Sequence, residues 1–339
     1  MRIGNGPKIA LGLIVSAVCL WLAVRQAPLG EVGALAGQVN YWWLVPCLIG
    51  NVLALWARGC RWRVLLSDKG TNAEYFWAQA IGTLLTNIFP LRAGEAGRVV
   101  IVSRRLQLPL VQVGASVILE RAVDMAVVLS MLAGVLLVMD VPWAITATGL
   151  LLGAALAVAW IGVVLLLVFG ERLTGLAESL LAYMPVRFGS LGLLVWRQVL
   201  TSVEPLRDLR VVGQVIFWSA VVWVATVFAF YACIEAVVPG SRPIESIFAL
   251  TAVALGIALP SSPGFIGVFQ LVGQQALVTP FPDRYTPASA LLVTLLSHAA
   301  SYLTNTVLGL VGLARLGLSM RTARAAEPEP TLSETPPAA

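Results

Sequence analysis

This sequence predicts an all-α polytopic membrane protein: six spanning helices plus two oppositely oriented re-entrant half-helix hairpins forming an inverted repeat. Three observations lead there. Apolar residues make up 59% of the chain and charged residues 12%, about half the charged share of soluble domains. Several apolar runs approach the ~20 residues that cross a hydrocarbon core. One short breaker also occurs twice, each time inside an apolar run. Its copies are Pro90-Leu91-Arg92-Ala93-Gly94-Glu95-Ala96-Gly97 and Pro260-Ser261-Ser262-Pro263-Gly264-Phe265-Ile266-Gly267, and in both the same interval separates the first proline from two glycines. Proline and glycine interrupt helices. In a bilayer such backbone survives only where it is buried in protein or lines a wet cavity. Paired breaks in corresponding positions of two halves point to a transport site.

The first apolar run, residues 9–24, follows Arg2 and Lys8. That pattern also fits a signal peptide, but no clean small-residue cleavage site follows, so it is read as a retained first helix. Further spans are expected at 42–57, 120–139, 144–169, 214–236 and 288–314. The segments 75–89 and 244–259 end at the breakers and are read as half-helices that re-enter. Trp42, Trp43, Trp62 and Trp143 fall at span ends, where interfacial anchors sit. The charged and apolar mixture across 170–212 suits helices lying on the cytoplasmic face. Residues 1–318 thus form one transmembrane domain, with a first half at about 42–169 and a second at about 214–318. The proline-rich stretch 319–339 lacks aromatics and is expected to be a disordered cytoplasmic tail.

Charge sets the orientation. With both termini in the cytoplasm and both broken segments re-entrant, only Arg25, Arg242 and Arg284 of the 22 lysines and arginines fall outside, as the positive-inside rule requires. The first half-helix then enters from the cytoplasm and the second from the outer side, so that they point at each other. A net charge of +5 is too modest to suggest a nucleic-acid partner. The four cysteines, Cys19, Cys47, Cys60 and Cys233, make no C-x-x-C pair and read as apolar packing, not metal or disulfide sites. No hydrolase, zinc or nucleotide motif occurs, and no cofactor is expected.

The candidate polar residues group around the breaks. Asn87, Arg92, Glu95 and Arg98 surround the first, with Glu95 and Arg98 spaced to pair on a helical turn. Arginine's planar fork suits phosphate oxygens, although a loop anchored at the interface would use the same charges. Glu120, Arg121 and Asp124 stand at the start of the expected third span. Glu120 and Asp124 share a face, and Arg121 can pair with Asp124. Charges there either face the bundle interior or snorkel to the interface. Around the second break, Ser261, Ser262 and Gln270 can line a polar cavity or merely close broken helix ends. His298 lies ~15 Å into the last span at 1.5 Å per residue, with Thr294, Ser301, Tyr302 and Asn305 near its face. It suits either a proton-linked role or helix packing. Pro90, Gly94, Gly97, Pro260, Pro263, Gly264 and Gly267 supply the structural breaks.

With these residues in hand the chain resembles a known family, the flippase-like integral membrane proteins related to the transmembrane domain of lysylphosphatidylglycerol synthase. The resemblance rests on Arg61-Trp62-Arg63-Val64-Leu65-Leu66, on Asn87-Ile88-Phe89-Pro90-Leu91-Arg92-Ala93-Gly94-Glu95 with Arg98, on Glu120-Arg121-Ala122-Val123-Asp124, and on the stretch from Pro260 to Phe269. It implies a bacterial inner-membrane protein that moves a polar-headed lipid between leaflets, with lipid-biosynthesis enzymes as candidate partners. The lipid is expected to be anionic, aminoacylated, glycosylated or hopanoid-type. The resemblance also implies that a chain without the soluble aminoacyl-transfer domain is not a complete synthase. Gln270 stands where a glutamate is expected after Val268-Phe269. The alternative is a membrane-embedded lipid head-group transferase, with Glu95 or Asp124 as base, or an accessory subunit of a lipid-synthesis complex.

Overall fold

In the computed structural model the described residues are 6–89, 93–139, 186–257 and 262–318, with individual residues between 154 and 183. Pro90, Arg92, Pro260, Ser261, Trp143, most of the expected span at 144–169 and the tail lie outside them. The helices, in chain order, are α1 (Gly6–Gln26), α2 (Leu29–Ala36), α3 (Leu44–Leu65), α4 (Asn72–Ile88), α5 (Ala93–Leu106), α6 (Leu110–Val138), α7 (Val186–Val203), α8 (Leu209–Val237), α9 (Pro243–Gly256), α10 (Val268–Val278) and α11 (Pro287–Leu316).

Local chemistry sets these ends. The Thr71 hydroxyl accepts from the Glu74 N–H while Glu74 caps the Thr71 N–H, a reciprocal capping box that satisfies orphan donors at the start of α4. Thr286 and Ser289 do the same for α11, with Pro287 in the first turn and left-handed Gly317 closing the far end.

Among the described residues, four segments are long and apolar enough to cross a membrane: Tyr41–Leu65, Leu110–Val138, Leu209–Val237 and Pro287–Leu316. The segments Gly12–Gln26 and Leu29–Ala36 make a fifth if counted as one span, although they meet at a 78° bend. Pro28 at the start of α2 explains that bend, and sequence reasoning did not foresee α2. Ile49, Ile118, Val224 and Leu303 are exposed on the outer faces of the long helices. Such faces suit lipid, not water.

Two expected spans change length. The second runs on to Leu65 instead of ending at 57, and the third begins at Leu110 instead of 120. The second extension is uncharged and lies just before Glu120 and Arg121, while the first carries Arg58, Arg61 and Arg63 in a helix that hydropathy alone ended early. Trp62, expected as an interfacial anchor, is fully buried for the same reason. Trp42 is 83% exposed, as an anchor would be.

The breakers separate the arms of two helical hairpins. In the first, Gly82 lies against Gly94 and Arg98, and Glu74 pairs with Arg105, so α4 and α5 run antiparallel. In the second, Gly256 lies against Val272, and Gly273 against Val253, so α9 and α10 do likewise. The 3-10 turn Pro263–Phe265 sits at the second tip, with Gly264 at φ 66° and Gly267 at φ 91°. Both values fall where L side chains are strained.

The helix pairings repeat between the two halves. Helix α3 packs on α4, α4 on α5 and α5 on α6, while α8 packs on α9, α9 on α10 and α10 on α11. Across the halves, α4 packs on α11 and α9 on α6. The equivalent helices α3 and α8 pack on each other, with Cys47 beside Cys233 and Arg61 beside Ser219, which makes them antiparallel. The first helices of the two sets therefore run in opposite directions. Close approach depends on small residues, as in other membrane bundles. A Cβ on Gly50 would lie 2.9 Å from the Ala225 carbonyl oxygen, and one on Gly309 would lie 2.4 Å from the Leu84 Cβ. One apolar core gathers Val128, Trp223, Phe230, Phe248 and Leu277. Another gathers Trp62, Tyr75, Leu84, Val102 and Val117. Helix α7 packs on α6 and leaves Leu191 and Leu194 exposed.

Candidate functional site

The hairpin tips meet at a cavity of about 350 Å³, within the range of small-molecule sites. The Tyr302 hydroxyl donates to the Asn87 carbonyl at 3.2 Å, and the Asn87 amide donates to the Tyr302 carbonyl and the Thr306 hydroxyl at 3.4 Å. His298 reaches the other tip, with Nε2 2.8 Å from the Gly264 carbonyl oxygen. Helix α11 thereby holds both tips.

One wall is ionic. Glu120 is fully buried on α6, ten positions after Leu110 and so ~15 Å along the helix at 1.5 Å per residue. Its carboxylate accepts from both terminal nitrogens of Arg98 at 3.1–3.4 Å and from the Gln79 amide at 3.4 Å. Asp124, one turn on, accepts from Arg61 at 2.7 Å. Arg61 also lies 3.6 Å from Glu120 and donates to the Ser219 hydroxyl at 3.1 Å. Arg121 reaches Glu95 at 3.4 Å and both Glu120 and Asp124 at 3.7 Å. A buried charge is tolerated only with partners, and the alternating set supplies them. The Arg98 guanidinium lies 4.7 Å from the Trp62 ring centroid, and Trp62 donates to Ser116 at 2.9 Å, so the indole beneath it is held in place.

This geometry revises several expectations. Arg98 pairs with Glu120 across the helix interface, while Glu95 pairs with Arg121. The close α4–α5 packing turns Arg98 toward α6, so the expected Glu95–Arg98 pair on one helical turn does not form. Glu120, Arg121 and Asp124 are well inside α6, not at its start. Ser262 does not line the cavity: its N–H donates to the Ser16 hydroxyl at 2.8 Å, and its own hydroxyl turns to the Ile266 carbonyl, because α1 packs against this turn.

Gln270 lies behind the cavity wall. Its Oε1 accepts from the Gly267 N–H at 2.7 Å, and its Nε2 lies 2.8 Å from His298 Nδ1. These bonds settle the imidazole tautomer. A carbonyl can only accept, so His298 Nε2 carries the proton toward Gly264. With its oxygen engaged by Gly267, Gln270 donates to an unprotonated Nδ1. The ring is therefore neutral and stacks on Phe269 at 4.6 Å between centroids.

His298, Ser301, Tyr302, Asn305, Asn87, Glu95, Arg98, Arg121 and Asp124 all line the cavity. Thr294 turns back to the Leu291 carbonyl instead. Sequence reasoning missed Arg58, Arg61 and Gln79 as site residues. The available signal was two arginines three apart directly after an apolar run, which continue its helical face once the helix extends to Leu65. Among the described residues no group of three His, Cys, Asp or Glu is arranged to hold a metal ion.

The chain matches known proteins over nearly its full length. The family model described as lysylphosphatidylglycerol synthase TM region matches residues 9–309. The chain is 27% identical over 355 residues to Glycosyltransferase AglD of Haloferax volcanii, an alignment that covers 95% of this chain and 56% of that protein. It thus spans about half the length of this curated relative. No solved structure matches it.

Proposed function

Since the chain belongs to the lysylphosphatidylglycerol synthase transmembrane-region family, we propose that it moves a polar-headed membrane lipid between leaflets. On this reading the two hairpins re-enter the membrane from opposite sides, with the charged Pro90 hairpin on the cytoplasmic side of a bacterial inner membrane and both termini in the cytoplasm. The observation that carries the reading is the polar cavity at the meeting of two helical hairpins, inside a bundle whose outer faces are apolar. Inverted halves with broken helices at their interface are the architecture from which alternating access is built. A cavity of about 350 Å³ suits a head group, while acyl chains would remain among the exposed apolar faces. Rocking of one half against the other along α3 and α8 would then open the cavity to each leaflet in turn. Enzymes that make or consume the lipid are the natural partners.

The experiment is reconstitution of the full chain in vesicles with a fluorescent short-chain lipid, followed by quenching of the outer leaflet. Transport requires an accessible fraction above that of empty vesicles for at least one anionic or glycosylated lipid. If every such lipid behaves as in empty vesicles, the proposal loses its support.

The similarity to a glycosyltransferase favours a second reading, in which the chain acts in head-group transfer as an enzyme or accessory subunit. The side-chain geometry weighs against Asp124 or Glu95 as its base, because each carboxylate is engaged by arginine and an ion-paired carboxylate is a poor proton acceptor. Formation of a glycosylated or aminoacylated lipid from a supplied donor would favour this second reading.

A further inference from the structure

The ionic wall is not balanced. Its described members are four arginines (Arg58, Arg61, Arg98 and Arg121) and three carboxylates (Glu95, Glu120 and Asp124). Arg61, Arg98 and Arg121 each pair with one or more of those carboxylates. Arg58 differs. It lines the cavity on α3, it feels the charges of Asp124, Glu120, Arg121 and Arg61, and among the described residues it has no hydrogen bond or ion pair. His298 adds no charge, because its two ring bonds hold it neutral. The described wall therefore carries a surplus of one positive charge, and that surplus resides on a guanidinium open to the cavity.

We infer that Arg58 is the residue that receives the phosphodiester of an anionic lipid head group. This rests on reading the cavity as a lipid head-group site. A phosphodiester monoanion offsets the charge of that guanidinium, whose planar fork matches two phosphate oxygens. The cavity lining also includes neutral polar groups: Asn51, two turns away on the same face of α3, whose amide nitrogen donates to the Cys47 carbonyl and leaves its oxygen, and Asn305, on α11, whose amide has no hydrogen bond among the described residues. These suit the hydroxyls of a glycerol or sugar. A head group bearing extra ammonium groups fits poorly. It would bring positive charge to a wall whose carboxylates are already engaged, and like charges in a low-dielectric site repel strongly. The paired arginines thus act as scaffold, and specificity falls to the unpaired one.

The test is direct binding, read apart from transport. The purified full chain in detergent is titrated by native mass spectrometry with phosphatidylglycerol, with lysyl-phosphatidylglycerol of the same acyl chains, and with water-soluble glycerophosphoglycerol. The expected result is phosphatidylglycerol bound at least about tenfold more tightly than the lysylated lipid, with the soluble head group binding more weakly than either lipid. Arg58→Gln should weaken phosphatidylglycerol binding by about tenfold or more and erase the preference, and Arg58→Lys should fall between. The wild-type preference needs no variant, so the inference stays testable even if Arg58→Gln misfolds. Equal or tighter binding of the lysylated lipid to the wild type overturns it. So does a preference that survives Arg58→Gln. Glycerophosphoglycerol binding as tightly as the lipid would assign the site to a free phosphodiester and overturn the lipid assignment. A chain that binds phosphatidylglycerol through Arg58 yet moves no lipid in vesicles would instead remove the transport reading and leave this one standing.

Discussion

Replacing Glu120 by Gln removes one negative charge from the centre of the ionic wall while nearly preserving its shape. Glu120 is fully buried. It pairs with Arg98 at 3.1 Å and lies within 3.7 Å of both Arg61 and Arg121. In the variant, four arginines of the described wall face only Glu95 and Asp124. Breaking a buried pair by removing one partner costs about 3–5 kcal/mol, because the remaining charge stays buried without compensation. At ~1.4 kcal/mol per tenfold, that lowers the folded-to-unfolded ratio by roughly a hundredfold to several thousandfold. The assay is reversible unfolding in mixed detergent, followed by tryptophan fluorescence. A double-mutant cycle with Arg98→Met isolates the pair. Methionine keeps the stem that covers Trp62 but carries no charge, so the double variant should lose about 2 kcal/mol or more less than the sum of the singles, as expected for residues in one network. A loss below about 1 kcal/mol for Glu120→Gln, or additivity within ~0.5 kcal/mol, would refute the view that this wall is a mutually compensated buried set.

Other consequences concern packing and pH. A Cβ at Gly94 would lie 1.8 Å from the Gly82 carbonyl oxygen and 2.3 Å from the Thr86 hydroxyl. Gly94→Ala should therefore force α4 and α5 apart, lose at least about 1–3 kcal/mol and abolish lipid movement. A variant with wild-type unfolding midpoint and transport would contradict the hairpin packing. The Cys47 and Cys233 sulfurs lie 3.3 Å apart, so a membrane-permeant oxidant should join α3 to α8. Maleimide labelling in denaturant before and after oxidation counts the thiols, and retention of all four would argue against the antiparallel pairing. The Thr71 N–H, supported by Arg105, holds the Glu74 carboxyl below the usual carboxylate range. Its folded value is thus lower than its unfolded one. The stabilisation is complete above the unfolded value of about 4.3 and is lost as pH falls through the lower folded value. Glu74→Gln should accordingly lower the unfolding midpoint at neutral pH and lose that effect in strong acid. An effect that persists unchanged in acid would contradict the assignment.

The two halves were legible because their evidence is local. Each proline–glycine string falls where one helix gives way to the next, between α4 and α5 and between α9 and α10, although Gly94 and Gly97, expected as breaks, lie inside α5. The outer limits of the long helices were less legible. Hydropathy ended the second span before Arg58 and began the third at Glu120. The charges that marked those limits are inside helices, where Arg61 finds Asp124 and Glu120 finds Arg98 on other segments. Gln270 and Ser262 misled in a related way. Both stand beside the second break, but one supports His298 from behind the wall and the other faces α1. A side chain's direction at a break depends on what packs against it.

Composition, periodicity and breaker chemistry by themselves determined that the chain is helical, carries helices apolar enough for a membrane and is interrupted twice by the same proline–glycine string, because each of these follows from interactions within a few residues. Only the tertiary structure decided which of the described arginines pair with carboxylates and which one faces the cavity without such a pair. Arg58 and Arg61 are three residues apart and chemically identical. Packing of α3 against α6 and α8 buries Arg61 onto Asp124 and Ser219 and leaves Arg58 facing the cavity. Charge compensation is settled between segments far apart in sequence, and no local pattern encodes it.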